Sequence, residues 1–110
     1  MSESEFLALA EAVLDQIEAA LEHAADETEV DLECSRSGNV LQIEFFDNGS
    51  KIIVNTQAPM QEIWVAARAG GYHYRLHDGQ WLNTRDGSEL FAALSDLASA
   101  QAGAALRISA

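Results

Sequence analysis

Cysteine, proline and basic residues are all scarce in this 110-residue sequence, and each scarcity narrows what the protein can be. The one cysteine, Cys34, excludes an internal disulfide and any CxxC-type zinc or redox site. It reads instead as a small core residue. The one proline, Pro59, breaks a single extended run. No apolar stretch approaches the roughly 20 residues that span a bilayer. Met1 to Phe6 (MSESEF) is acidic where a secretory leader would be basic, so the expected location is the cytoplasm. Six lysines and arginines stand against eighteen aspartates and glutamates, a net charge of -12. Such a field repels nucleic acid and anionic membranes, which are excluded as partners. Ser-His-Asp sets, P-loops, GxGxxG, HExxH and EF-hand patterns are also missing, so no motif carries catalysis and no enzyme is expected.

What is present is ordinary globular material. Apolar residues make up 48 % and charged residues 22 %, enough for one core, and residues 1–110 read as a single domain. Phe6, Ala10, Val13, Ile17, Leu21 and Ala24 recur at three- and four-residue intervals, predicting a helix from Ser4 to about Ala25 capped by Ser2 or Ser4. Glu29, Asp31 and Glu33 then alternate with Val30, Leu32 and Cys34, a strand with an acidic wet face. Val40 to Phe46 and Lys51 to Gln57 form a hairpin around Asp47-Asn48-Gly49-Ser50. Glu62 to Arg68 and Tyr72 to His77 continue the sheet around Gly70-Gly71, and Asp78-Gly79 turns it toward Trp81 and Leu82. Asp86-Gly87-Ser88-Glu89 resembles a capping box for a second helix that ends near Gln101 before Gly103, with Leu106 and Ile108 packing back. The expected class is α+β: a two-layer sandwich, two helices on one face of a five- to six-stranded antiparallel sheet.

Charge is distributed unevenly. Eleven of the eighteen acids precede Ser35, with no lysine or arginine among them. Projected on the first helix, Glu11, Asp15, Glu18 and Glu22 fall within an arc of ~60°, away from the apolar stripe. Like charges three or four residues apart each cost about 0.2–0.5 kcal/mol, and acids in the last turn oppose the helix dipole. A penalty of this kind suits a functional surface, although a merely solubilising acidic face is the competing reading. The same sign continues through Asp26, Glu27 and Glu29 into Asp31 and Glu33. Such carboxylates offer hard oxygen ligands without a cage, suited to weak, exchangeable iron, manganese, calcium or magnesium. His23 is either an added imidazole ligand or a solvated residue at the helix end. Trp64 falls on the polar side of its strand, a candidate hot spot unless the register is shifted into the core, where Trp81 is expected. His73 and His77 share a strand face but are too far apart to share a metal without distortion.

At this point the residues fit a known pattern. The chain resembles the frataxin family, in its bacterial branch, over essentially its whole length. The resemblance is carried by the SEFLALAEAVLDQIE helix, the EVDLE segment, NGSKIIVN, QEIWVAARAGGYHY and the closing acid-capped helix. It implies a two-helix layer on an antiparallel sheet and a role as an iron-binding regulator or iron donor in iron-sulfur cluster assembly. It further implies weak Fe2+/Fe3+ binding, docking on cysteine desulfurase and the iron-sulfur scaffold protein, and a monomer, with an iron-dependent oligomer as the alternative. Acids matching the family pattern are Glu3, Glu11, Glu18, Glu22, Glu27, Glu29, Asp31 and Glu33, while Asn55 and Trp64 match positions of partner contact. Ala19, His23 and Ala25 depart from it, where relatives often carry acids. The competing functions are an iron store or ferroxidase and an acidic protein-interaction module.

Overall fold

The three-and-four spacing of the first segment becomes a buried stripe. Phe6, Ala10, Val13, Leu14, Ile17, Leu21 and Ala24 all face inward from helix α1 (Glu3–Thr28). A computed structural model, which describes residues 1–110, places six strands after it: β1 (Leu32–Ser37), β2 (Val40–Phe45), β3 (Ser50–Gln57), β4 (Glu62–Ala67), β5 (Gly70–His77) and β6 (Gln80–Asn83). Helix α2 (Leu90–Ala102) follows. The strands pair in chain order, each antiparallel to the next, as short turns require. Leu41, Ile43, Phe45, Ile52, Val54, Ile63, Val65, Tyr74 and Trp81 point to one side and form one core with both helices. Trp81 is buried there, its ring edge-on to Phe6. The two-layer architecture expected from the sequence is the one observed, with one sheet face uncovered.

Boundaries moved where local chemistry outweighed pattern. Ser2 is the N-cap: its hydroxyl accepts the Glu5 N–H at 3.1 Å, while the Glu5 carboxylate accepts the Ser2 N–H at 3.2 Å. At the other end no Gly or Pro stops the helix at Ala25. It runs on to Thr28, whose hydroxyl donates to the Ala24 carbonyl. Glu29 closes it in the left-handed conformation, φ 59° and ψ 27°. The predicted strand therefore starts at Leu32, and Glu29 to Asp31 form the connection. A β-carbon is disfavoured in that conformation, and an acid there also opposes the helix dipole. Glu29→Gly is accordingly expected to stabilise the fold by about 0.5–1 kcal/mol, read by denaturant unfolding.

Other turns were corrected in the same way. Arg68 and Ala69, not Gly70-Gly71, make the β4–β5 turn, and Gly70 and Gly71 pair inside β5. The Asp78-Gly79 turn stands as predicted, both residues at positive φ. Glu89 itself caps α2, its carboxylate accepting the N–H groups of Phe91 and Ala92. Asp86 instead ties back Ser88, so the expected capping box splits into two local devices. Beyond Gly103, Leu106 and Ile108 are buried, as the sequence suggested.

Candidate metal and partner surfaces

Helix α1 presents Glu11, Asp15 and Glu22 to solvent, with Glu18 half-buried beside them. From Glu11 to Asp26 this face is about 22 Å long at 1.5 Å per residue, while Glu27 lies well round the helix from it. Glu3 stands apart, about 12 Å before Glu11 in the first turn, where an acid favours the dipole. At the far end His23 Nε2 lies 2.7 Å from Glu27 Oε1, so the histidine is a solvated residue with a carboxylate beside it. Asp26 is exposed next to this pair. No three His, Cys, Asp or Glu side chains converge closely enough to enclose a metal ion.

The stretch of chain before Ser35 holds no lysine or arginine, which predicts an acidic surface with no compensating base; the folded surface departs from it. The acidic surface does contain a base: Arg36 of β1 reaches under α1, its Nη1 2.6 Å from Asp15 Oδ1 and 4.0 Å from Glu18 Oε1. The alternation that buries Leu32 and Cys34 carries one step further to Arg36, so this signal was present in the sequence. Glu33, by contrast, leaves the opposite side of the edge strand together with Ser35 and Ser37. The wet side of β1 is thus not all acid, and the carboxylates wrap around an edge instead of lying on one plane. Glu29 and Asp31 are exposed in the connection between the two elements. Cys34 sits half-buried between these groups, and burial, then Glu22, Glu18 and Glu33, push its thiol up to about 12. It is a packing residue with little thiolate character.

The uncovered face of the sheet holds the second group. Asn55 on β3, Trp64 on β4 and His73 on β5 are successive cross-strand partners. Trp64 lies on this side as its register predicted, half-buried, with its indole stacked flat on the His73 ring, 4.2 Å between centroids and 5° between planes. His73 and His77 do not meet; His77 is near Asp78 instead. Sequence reasoning missed Glu62, which is buried on this same face. Its Oε1 accepts the Trp64 Nε1–H at 2.8 Å, and its Oε2 accepts the Arg75 Nε–H at 2.8 Å. The only sequence signal was Glu62 and Trp64 two apart on a strand, a spacing that puts them side by side.

Burial by itself would push the Glu62 carboxyl up, but the bonds from Trp64 and Arg75 outweigh it and hold the group below the usual carboxylate range. A group depressed in the folded state contributes stability above its unfolded value, and that contribution is lost as pH falls through the folded value. Wild type should therefore exceed Glu62→Gln in stability at neutral pH. The gap should close below about pH 4, as read by denaturant unfolding across pH.

A family model described as a frataxin-like domain matches residues 1–104. The chain is 68 % identical over 103 residues to the iron-sulfur cluster assembly protein CyaY of Janthinobacterium sp. (strain Marseille), covering 94 % of this chain and 92 % of that one. Frataxin from Psychromonas ingrahamii superposes over 100 % of both chains, with a TM-score of 0.85 and 30 % identity. Trimeric frataxin from the yeast Saccharomyces cerevisiae, solved in complex with ferrous iron, shares the fold: TM-score 0.73, 24 % identity, 86 % of this chain and 85 % of that one.

Proposed function

Because the chain belongs to the frataxin family, we propose that it serves iron-sulfur cluster assembly as an iron-binding regulator or iron donor, without catalysing a reaction of its own. It docks on a basic surface of cysteine desulfurase through the acidic face of α1. The scaffold protein meets the uncovered sheet face around Asn55 and Trp64. The observation that carries this reading is the exposed acidic face of α1, where Arg36 is the one base drawn in. Like charges so placed disfavour the isolated helix and favour a cationic partner.

Iron is cargo here, and its binding is weak by construction. Neighbouring pairs such as His23 and Glu27 supply two ligands each, and water completes the shell, so iron exchanges readily and other divalent cations compete. Glu11, Asp15, Glu18, Glu22, Asp26, Glu29, Asp31 and Glu33 supply the remaining carboxylates, with Glu3 a separate, weaker position. The resting protein is a cytoplasmic monomer.

Salt tests the docking reading, because exposed charges are screened beyond about 10 Å at 0.1 M. The dissociation constant for cysteine desulfurase should rise at least ~10-fold between about 50 and about 300 mM sodium chloride. A constant that does not move with salt overturns the acidic face as the contact.

A further inference from the structure

The side of β4 that faces away from both helices carries one carboxylate that water barely reaches. The Glu62 side chain is 5 % exposed, although the Arg75 and His73 side chains beside it are 58 % and 47 % exposed. Burying a charge is unfavourable unless its partners are fixed, and a leucine would fill the same space with no such requirement. What the carboxylate does here is gather side chains from two strands. Glu62 and Arg75 are cross-strand partners, as are Trp64 and His73, so the four form a square on the pleat. Oε1 takes the indole Nε1–H, Oε2 takes the Arg75 Nε–H, and His73 Nδ1 lies 3.5 Å from Oε1 while its ring covers one face of the indole.

An aromatic side chain on a strand has alternative rotamers, and an exposed indole would exchange among them. With the Nε1–H anchored on one side and the ring stacked on the other, the freedom is removed before any partner arrives. A preset side chain adds affinity because no ordering is left to be done on binding. We propose that Glu62 is a positioning residue, whose carboxylate holds the Trp64 indole flat against His73 and so presents the ring in one orientation to the scaffold protein. This deepens the docking reading of the sheet face and rests on it.

The test separates the two. The Trp64 Nε1–H resonance, assigned by its loss in Trp64→Phe, is followed by 15N NMR in the free protein. In Glu62→Leu it should broaden and move toward the position of a solvated indole; Glu62→Gln, whose amide oxygen still accepts, should keep it near the wild-type position. Scaffold affinity should fall about 10-fold in Glu62→Leu and less than about 3-fold in Glu62→Gln. Glu62→Ala, which adds no bulk, repeats the comparison should the leucine variant fold poorly. A wild-type indole resonance in Glu62→Leu and Glu62→Ala overturns the assignment, whatever the scaffold does. Unchanged scaffold affinity in Trp64→Ala instead sinks the docking reading, while the resonance still decides the role of Glu62.

Discussion

Replacing Glu11 and Glu22 together with lysine is expected to weaken cysteine desulfurase binding about 100-fold at low salt, or about 3 kcal/mol. These two positions are chosen on structural grounds. Both are exposed and neither is held by a base, whereas Asp15 and Glu18 face Arg36 and would repel it if reversed. In Glu11→Lys the new ammonium group sits four residues from Asp15, and in Glu22→Lys it sits four from both Glu18 and Asp26, so three repulsive pairs become attractive. The fold should be unharmed or more stable by a few tenths of a kcal/mol, which separates lost binding from unfolding. Calorimetric titration with the desulfurase, alongside thermal unfolding, checks both halves. Affinity within about 3-fold of wild type would remove α1 from the interface.

The second large effect concerns stability. Leu106 has no exposed surface, although it lies outside every helix and strand. Its backbone N–H donates to Ser99 Oγ at 2.8 Å, and Ser99 Oγ donates to the Leu106 carbonyl at 2.9 Å. Ser95 holds Ile108 by the same pair of bonds. Two serines one turn apart on α2 thus stand in for a missing strand neighbour and keep the tail's polar backbone satisfied. Leu106→Ala leaves this tether in place and opens a cavity under it. The expected loss is about 2–4 kcal/mol, a fall of about 10–20 °C in Tm for a domain this small. Thermal and denaturant unfolding measure it; a loss under about 0.5 kcal/mol would mean that the tail is not part of the core.

Much of this was legible in the sequence, because the strongest signals were periodic. Six apolar residues of α1 at helical spacing and the alternation around Trp64 each fixed a face, and every one of those faces is where it was read to be. Boundaries were less legible because single side chains decide them. Glu29, a residue with no special liking for the left-handed conformation, ends α1 three residues later than the pattern alone implied. That shift moved β1 to Leu32 and left Glu29 and Asp31 out of the strand.

The site was legible in charge and not in pairing. A run of acids without bases is visible in one dimension; that Arg36 folds back beneath Asp15 depends on which side of β1 faces α1. Likewise Glu62 looked like one more polar residue of an open face. Its burial arises from three neighbours, of which His73 and Arg75 come from the next strand and are adjacent only through the β4–β5 register. Cross-strand pairing of that kind has no linear signature.

Backbone NMR of the labelled protein, titrated with unlabelled cysteine desulfurase, tests the central claim most directly. Amides along α1 from Glu11 through Thr28, and on through Asp31 and Glu33, should broaden first and recover when salt is raised to about 0.5 M. A complex that forms while those amides keep their positions and widths would contradict the account.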